Sequence, residues 1–393
     1  MNKDKYVFAQ MVEFLDNYKF LRIVKKYDGN KYVKHFTCWN QLLTLIFGQL
    51  CNRESLRDLI VALNAHQEKC YHLGVGKHVT RSNLAKANEN RDYRIFEDFA
   101  FYMISEARKK RINDIFKLNR NVYAFDSTTI DLCLKLFPWA NFRTHKGGVK
   151  IHTLYDVETQ VPAFIHITEA KINDVKAMDV IPYESGSFYV FDRAYNDYHR
   201  LYKIHMMDSF FVVRAKTNIK AKVLKWKRRL PKNIKNIQSD CEIELTGFYT
   251  QKSYPETIRL VRFWDEEDER EFIYLTNAKH IQALQVAELY KNRWQVELFF
   301  KWLKQHLKIK KFWGTSENAV KIQVYSAIIA YCLVAIMQHD MKLDRSTYEV
   351  LQILGISLTD KTPLRELFSK TKFNDVKGQS GLDGPNLFSN YNF

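Results

Sequence analysis

The sequence predicts an α/β protein in which a helical amino-terminal region precedes a sheet-bearing domain with a β-rich insertion. Three observations predict it. Apolar residues recur at three- and four-residue intervals over residues 1–115. From residue 121 the pattern shifts to short β-branched and aromatic runs, and residues 206–282 form a basic, alternating β-type block. Helical periodicity returns after that block. A chain of 393 residues exceeds what one core usually supports, so several parts are expected. They are 1–115, 116–205, 206–282, 283–340, and a segment 341–393 that ends in a flexible tail.

In the first region "WNQLLTLIFGQL", "ESLRDLIVALNA" and "IFEDFAFYMISEARKK" are amphipathic helices. Between the last two lies "HVTRSNLAKANENRDYR", where Thr80 or Ser82 caps a short helix bearing Arg81, Asn83, Lys86 and Asn90. Such a face suits a DNA groove, although by itself a solvated helical surface is the plainer explanation. Next come "NVYAF" leading into Asp126, then "VKIHTLYDV" and "VPAFIHITEA", a connecting helix over "TEAKINDVKAMDVI", and "SFYVF" leading into Asp192. The insertion opens on the basic run "KTNIKAKVLKWKRRLPKNIK" and continues with the strands "CEIELTGFYT", "ETIRLVRFW" and "EFIYLTN". One helix is expected over 283–308, then a buried apolar helix around "VYSAIIAYCLVAIM", which is too short to span a bilayer, then "STYEVLQIL" and "TPLRELF". The Gly- and Asn-rich end, from Asn374, has the composition of disorder.

Charge narrows the partners. There are 61 basic against 44 acidic side chains, a net charge of +17, which draws polyanions by field and counterion release. Nucleic acid is the first expectation and an anionic membrane the second. The membrane reading is the weaker, because the cations cluster with aromatics and carboxylates. Six cysteines without CxxC or Cys/His pairing argue against a zinc site or a disulfide framework. With no apolar signal segment at the start, a cytoplasmic, nucleoid-associated protein is expected.

Two strands deliver a carboxylate at their tips, Asp126 and Asp192. Hard cations prefer oxygen ligands, and two ions held about 4 Å apart can activate a water and stabilise the leaving oxygen of a phosphodiester. Asp after a strand is also an ordinary turn residue. A third acid is Glu297 in "YKNRWQVELFFKWLKQHLKIKKFWG". On one helix Tyr290, Arg293, Glu297, Lys301, Lys304 and Lys308 fall on one face. That face is either an active-site wall for an anionic substrate or a surface laced by i,i+4 pairs. Trp294 at its edge can stack on an unpaired base. Lys146 and Lys150 flank a Gly-Gly turn near Asp126, and Lys225, Lys227, Arg228 and Arg229 crowd around Trp226, where they suit phosphates or an ordinary charged loop.

The spacing Y-x2-R-x3-E-x6-K at Tyr290, Arg293, Glu297 and Lys304 resembles the YREK signature of DDE transposases in the insertion-sequence-four family. "YAFDSTTI" resembles the family's first-aspartate motif and "FDRAYND" its second, although Arg193 departs from the usual Asp-Gly or Asp-Ala-Gly form. The resemblance covers residues 120–340 and implies a ribonuclease-H-like catalytic domain with an insertion between the second Asp and the Glu. It further implies metal ligation and catalysis by Asp126, Asp192 and Glu297 with two Mg2+ or Mn2+ ions. A water nicks the DNA at each end, and the freed 3′-hydroxyl attacks other phosphodiesters. Implied partners are double-stranded DNA, as terminal inverted repeats and target, and a second copy in a synaptic homodimer. In some members a flipped base stacks on tryptophan. Trp294 matches that residue, with Trp226 or Trp264 as a second candidate. The competing readings are an inactive DNA-binding derivative and a two-metal nuclease without strand transfer.

Overall fold

The computed structural model describes residues 4–76, 79–111, 116, 118, 120–143, 146–216, 218–226, 236–307, 309 and 311–369. Seven helices come first: α1 (Val7–Val12), α2 (Asn17–Lys26), α3 (Cys38–Leu50), α4 (Leu56–Ala65), α5 (Gln67–Cys70), α6 (Arg81–Asn90) and α7 (Arg94–Lys110). Thr80 is the cap of α6, its Oγ1 accepting from the Asn83 N–H at 3.1 Å.

The sheet follows as β1 (Val122–Leu132), β2 (Asn141–Arg143), β3 (Lys146–Asp156), β4 (Val161–Glu169), β5 (Phe188–Phe191) and β6 (Phe210–Arg214). Strands β1 and β3 pair antiparallel, β3 also pairs β4, and β1, β5 and β6 run parallel to one another. "VYAF" and "FYVF" are apolar without alternation because these central strands are buried on both faces. Val122, Ala124, Phe188 and Val190 belong to a core shared with the amino-terminal helices. Tyr123, Phe125, Tyr189 and Phe191 join a second core on the opposite face.

The block expected as an insertion is laid onto this same sheet. After α8 (Tyr198–Met206), β6 is followed outward by β10 (Arg270–Thr276), β9 (Ile258–Asp265), β8 (Ile237–Leu245) and the edge strand β7 (Ala221–Trp226). "GFYT" is not strand: beyond Gly247 the chain turns into α9 (Phe248–Ser253), with Gln251 N–H and Thr250 Oγ1 both bonded to the Gly247 carbonyl. The expected connecting helix is also different. Pairing of β4 with β3 extends to Glu169, and only a seven-residue 3₁₀ helix, Asp174–Val180, remains, started by Asn173 Oδ1 accepting from Val175 N–H.

The single helix expected over 283–308 is two: α10 (Ala283–Lys291) and α11 (Trp294–His306). Asn292 Nδ2 donates to the Glu288 carbonyl at 2.9 Å, and the N–H groups of Arg293, Gln295 and Val296 shift to i−3 partners. A side chain competing for the ladder tightens the turn there. Behind α11 lies α12 (Glu317–Asp340), followed by α13 (Thr347–Ser357) and α14 (Leu364–Leu367). Although α12 is long and apolar enough to cross a membrane, 94% of its most apolar window is buried by the rest of the fold, where it packs on α3, α6, α7 and α13. A helix apolar all round is the centre of a large core. The basic residues Lys227, Arg228 and Arg229, Lys308, and the tail beyond residue 369 lie outside the described residues.

Between the outer strands and the return into α10, Arg259 is almost fully buried against Asp240, with Nε–Oδ1 and Nη2–Oδ2 both at 2.8 Å. Its Nη1 donates to the carbonyls of Ala278 and Ile281 at 2.9 and 2.7 Å. Removing one partner of such a pair strands a buried charge, at a cost of about 3–5 kcal/mol. Asp240→Ala is therefore expected to lower unfolding free energy in urea by that amount. A loss under about 1 kcal/mol would show that the pair does not staple the outer strands to α10.

Candidate active site

Strand parity decides which way the acids point. Side chains alternate along a strand, so Asp126 shares the face of Val122 and Ala124, and Asp192 continues the face of Phe188 and Val190. The parallel register pairs Phe125 with Phe191, so the two aspartates leave neighbouring strands side by side. That face is the one covered by α11, whose first turn carries Glu297.

Arg293 joins the acids. Its Nη1 lies 3.0 Å from Asp126 Oδ2 and its Nη2 2.7 Å from Glu297 Oε1. Tyr290 donates to Asp192 Oδ1 at 3.2 Å. The far side of Asp126 is also held, because Ser127 N–H donates to Oδ1 at 2.8 Å. Burial pushes the Asp126 carboxyl up to about 6; Glu297 and Asp192 push the same way, while Arg293 and the Ser127 N–H oppose it. Burial works against the Arg293 charge, yet Tyr290, Asp126 and Glu297 together hold its pKa above the ordinary value. Burial raises Tyr290 to about 12, so it is a neutral donor.

The structure brings Tyr290, Arg293, Glu297, Asp126 and Asp192 together. Lys304 stands beside them, its Nζ 3.1 Å from the Thr129 carbonyl on β1. Lys301 and Trp294 are exposed on the outer side of α11, Trp294 by 54%. Arg81 and Lys86 are exposed on α6, Lys146 at the start of β3, and Lys225 on the edge strand with Trp226. Trp264 is exposed on β9. Lys150 is turned inward instead: only 11% of its side chain is exposed, and its Nζ bonds Asp174 at 3.2 Å and the Ile172 carbonyl at 2.8 Å. Arg193 is exposed and begins a single 3₁₀ turn, Arg193–Tyr195, which follows Asp192 directly. Sequence reasoning missed Ser127, Asp174 and Tyr195. The last is buried against Phe125 and Phe191, where the charges of Asp126, Asp174 and Asp192 all act on its hydroxyl.

Among the described residues no three His, Cys, Asp or Glu stand close enough together to hold one ion. The donor chemistry of Asp126, Asp192 and Glu297 nevertheless fits a hard divalent cation. The gap between Asp126 and Glu297 is bridged by the guanidinium of Arg293, a single cation shared between the two.

Neighbouring strands delivering two carboxylates, a helix adding a third, and a strongly basic chain define a candidate phosphodiester-processing enzyme. A family model described as a transposase DDE domain matches residues 117–333, and another, described as a domain of unknown function, matches residues 3–76. A protein named as a transposase in Sinorhizobium fredii is 33% identical over 286 residues, covering 70% of this chain and 75% of its own. One named as the transposase of an insertion sequence in Geobacillus stearothermophilus is 30% identical over 254 residues, covering 64% of this chain and 66% of its own. Among solved structures, the piggyBac transposase in a synaptic complex with hairpin DNA aligns over 89% of this chain and 77% of that one at 12% identity. Its TM-score is 0.46, too loose a likeness to carry an argument. The chain belongs to the DDE transposases of the bacterial insertion-sequence type.

The raised Asp126 pKa has a stability consequence. Folded Asp126 keeps its proton up to about pH 6, whereas an unfolded Asp releases it near pH 4. Its contribution to stability is thus full below about pH 4 and is lost as pH rises through about 6. Asp126→Asn cannot ionise and escapes that loss. Its unfolding free energy is expected to gain on wild type by on the order of 2–3 kcal/mol between pH 4 and 7 in a denaturant series. Parallel curves for the two proteins would contradict burial as the cause.

Proposed function

We propose that this transposase cuts and joins DNA strands through Asp126, Asp192 and Glu297, as an insertion-sequence-four type enzyme whose YREK signature is Tyr290, Arg293, Glu297 and Lys304. One observation carries the reading. The aspartates occupy one face of two adjacent parallel strands, and Arg293 ties the first of them to the glutamate. Strands holding both aspartates and a helix bringing Glu297 also support the ribonuclease-H-like description.

Asp126, Asp192 and Glu297 would hold two Mg2+ or Mn2+ ions, which supply Lewis-acid stabilisation of the leaving oxygen and a more acidic water. The remaining work belongs to the protein. Arg293, released from the carboxylates, can fork a phosphate at the element end, and Tyr290 can donate to the same backbone. Lys301 and Lys304 extend that cationic line, with Trp294 exposed beside it for an unpaired base. Arg81 and Lys86 on the amino-terminal helices, Lys146, and Lys225 with its basic neighbours Lys227, Arg228 and Arg229 serve the flanking duplex. Double-stranded terminal repeats and target DNA are the substrates, handled by two copies of the chain.

Glu297→Gln is expected to lose end cleavage by at least about a hundredfold in Mg2+, while mobility-shift affinity for the end changes little. Full cleavage by that variant would remove Glu297 from the site. A precut end bearing a 3′-hydroxyl should be joined to target DNA by the wild type. Hydrolysis without any joined product would make the protein a nuclease instead.

A further inference from the structure

Behind Asp126, on the sheet face opposite α11, lies a polar chain that the carboxylate triad leaves unexplained. Ser127 points to that face by strand parity, and the antiparallel register sets His152 opposite Ser127 and Lys150 opposite Thr129. Asp174, the first residue of the 3₁₀ helix, reaches back to them. Its Oδ1 accepts from Ser127 Oγ at 2.7 Å, and Lys150 lies 3.2 Å from the carboxylate. The same Lys150 Nζ holds the Ile172 carbonyl at 2.8 Å, anchoring the segment that presents Asp174. His152 is fully buried and its Nδ1 stands 3.8 Å from Asp174. Its Nε2 is engaged with Thr168 Oγ1 at 2.9 Å, and burial lowers its pKa to about 4, so Lys150 is the cation that neutralises Asp174.

We propose that Asp174, clamped by Lys150, is a positioning residue for Asp126, acting through Ser127. The route is short and continuous. Asp174 fixes the Ser127 hydroxyl, and the N–H of that same residue fixes Asp126 Oδ1, leaving Oδ2 toward α11. A surface ion pair would not need a buried lysine, and a simple cap of the 3₁₀ helix would not need a hydroxyl from the strand beneath the acid. Lys150 thereby serves the site from within the protein and not as a phosphate contact. The inference rests on Asp126 being the catalytic carboxylate proposed above.

The test uses the full chain and its element-end DNA, with Asp126→Asn, Asp174→Ala, Asp174→Asn, Ser127→Ala and the Asp174→Ala/Ser127→Ala double variant. Mg2+ tolerates distorted coordination less well than larger ions, and partners that orient a ligand carboxylate typically matter by about 10–100-fold. Asp174→Ala is expected to lose about 10–100-fold in Mg2+-dependent end cleavage, with less loss in Mn2+. Mn2+ affinity read by electron paramagnetic resonance should weaken in Asp174→Ala and in Ser127→Ala, and in Ser127→Ala, which leaves the Lys150–Asp174 pair intact, melting temperature and end binding should stay near wild type. Asp174→Asn, which keeps the acceptor for Ser127, should recover part of the rate. The double variant should lose no more than the larger single loss, as expected for two residues on one route. Undiminished cleavage in Ser127→Ala, loss there that only follows a fall in its melting temperature, or additive single effects, would reduce Asp174 to a structural role. Normal cleavage and Mn2+ affinity in Asp174→Ala, with Asp126→Asn inactive, would overturn the proposal and leave the catalytic reading standing. Normal cleavage in Asp126→Asn itself would overturn the catalytic reading.

Discussion

Carboxylates brought to a partly buried stretch of sheet need cations, and much of this structure follows from that need. Asp126 and Asp192 leave adjacent strands on one face, Glu297 approaches from α11, and Asp174 comes from beneath. Glu297 and Asp192 both act against the Asp126 charge, and like charges repel more strongly where water is excluded. The fold meets this with one internal cation on each face of the sheet. Arg293 bridges Asp126 and Glu297 above, and Lys150 neutralises Asp174 below. The tightened turn at Asn292 belongs to the same solution. It sets Tyr290 at the end of one helix and Arg293 at the start of the next, so that each faces an acid.

Rigidity around the crevice comes from elements far along the chain. Helix α12 is sheathed by α3, α6, α7 and α13, and its Tyr331 packs edge-on against Phe299 and Trp302 of α11. Near its start, Asn318 donates to the carbonyls of Asn88 and Arg91 and accepts from the Tyr93 N–H. These carbonyls sit at the end of α6 and just beyond it, where a helix lacks internal donors. The helix bearing Arg81 and Lys86 is therefore fastened to the one behind Glu297. Any DNA held along α6 would be registered against the acids through a packed core. At the other border, the buried Arg259–Asp240 pair ties the outer strands to the loop that leads into α10.

The carboxylate pattern was legible in the sequence because it is local. Two apolar strands each ending in Asp, and a helix with Glu among cations, survive as patterns whatever the rest of the chain does. Parity alone does not supply the shared face of Asp126 and Asp192, because both strands are buried on both faces; the register that pairs Phe125 with Phe191 does. What could not be read were relations between distant segments. Nothing in "INDVKAMD" marks Asp174 as the partner of a serine 47 positions earlier, and nothing around the Gly-Gly turn shows that Lys150 faces inward. The join at Asn292 and the helix after Gly247 were missed for a different reason. Each is decided by one side chain or one carbonyl competing for backbone bonds, a contest that periodicity does not register.

Arg293 carries a double demand that explains why the position suits arginine. In the structure it lies across Asp126 and Glu297, with its Nε left without a hydrogen-bond partner among the described residues. A guanidinium presents several donors in a fixed fork, and carboxylates and phosphates accept that fork in similar geometry. On the proposed reading, exchange of Arg293 from the acids to the DNA backbone replaces one set of charge-assisted bonds by another. The acids are then open to a metal when a phosphate is present to receive the arginine. Lysine, a hydrated point charge on a flexible stem, could neutralise one acid at a time but could not span both. On that reading, the same bridging that screens two of the acids without DNA couples their release to the arrival of the substrate.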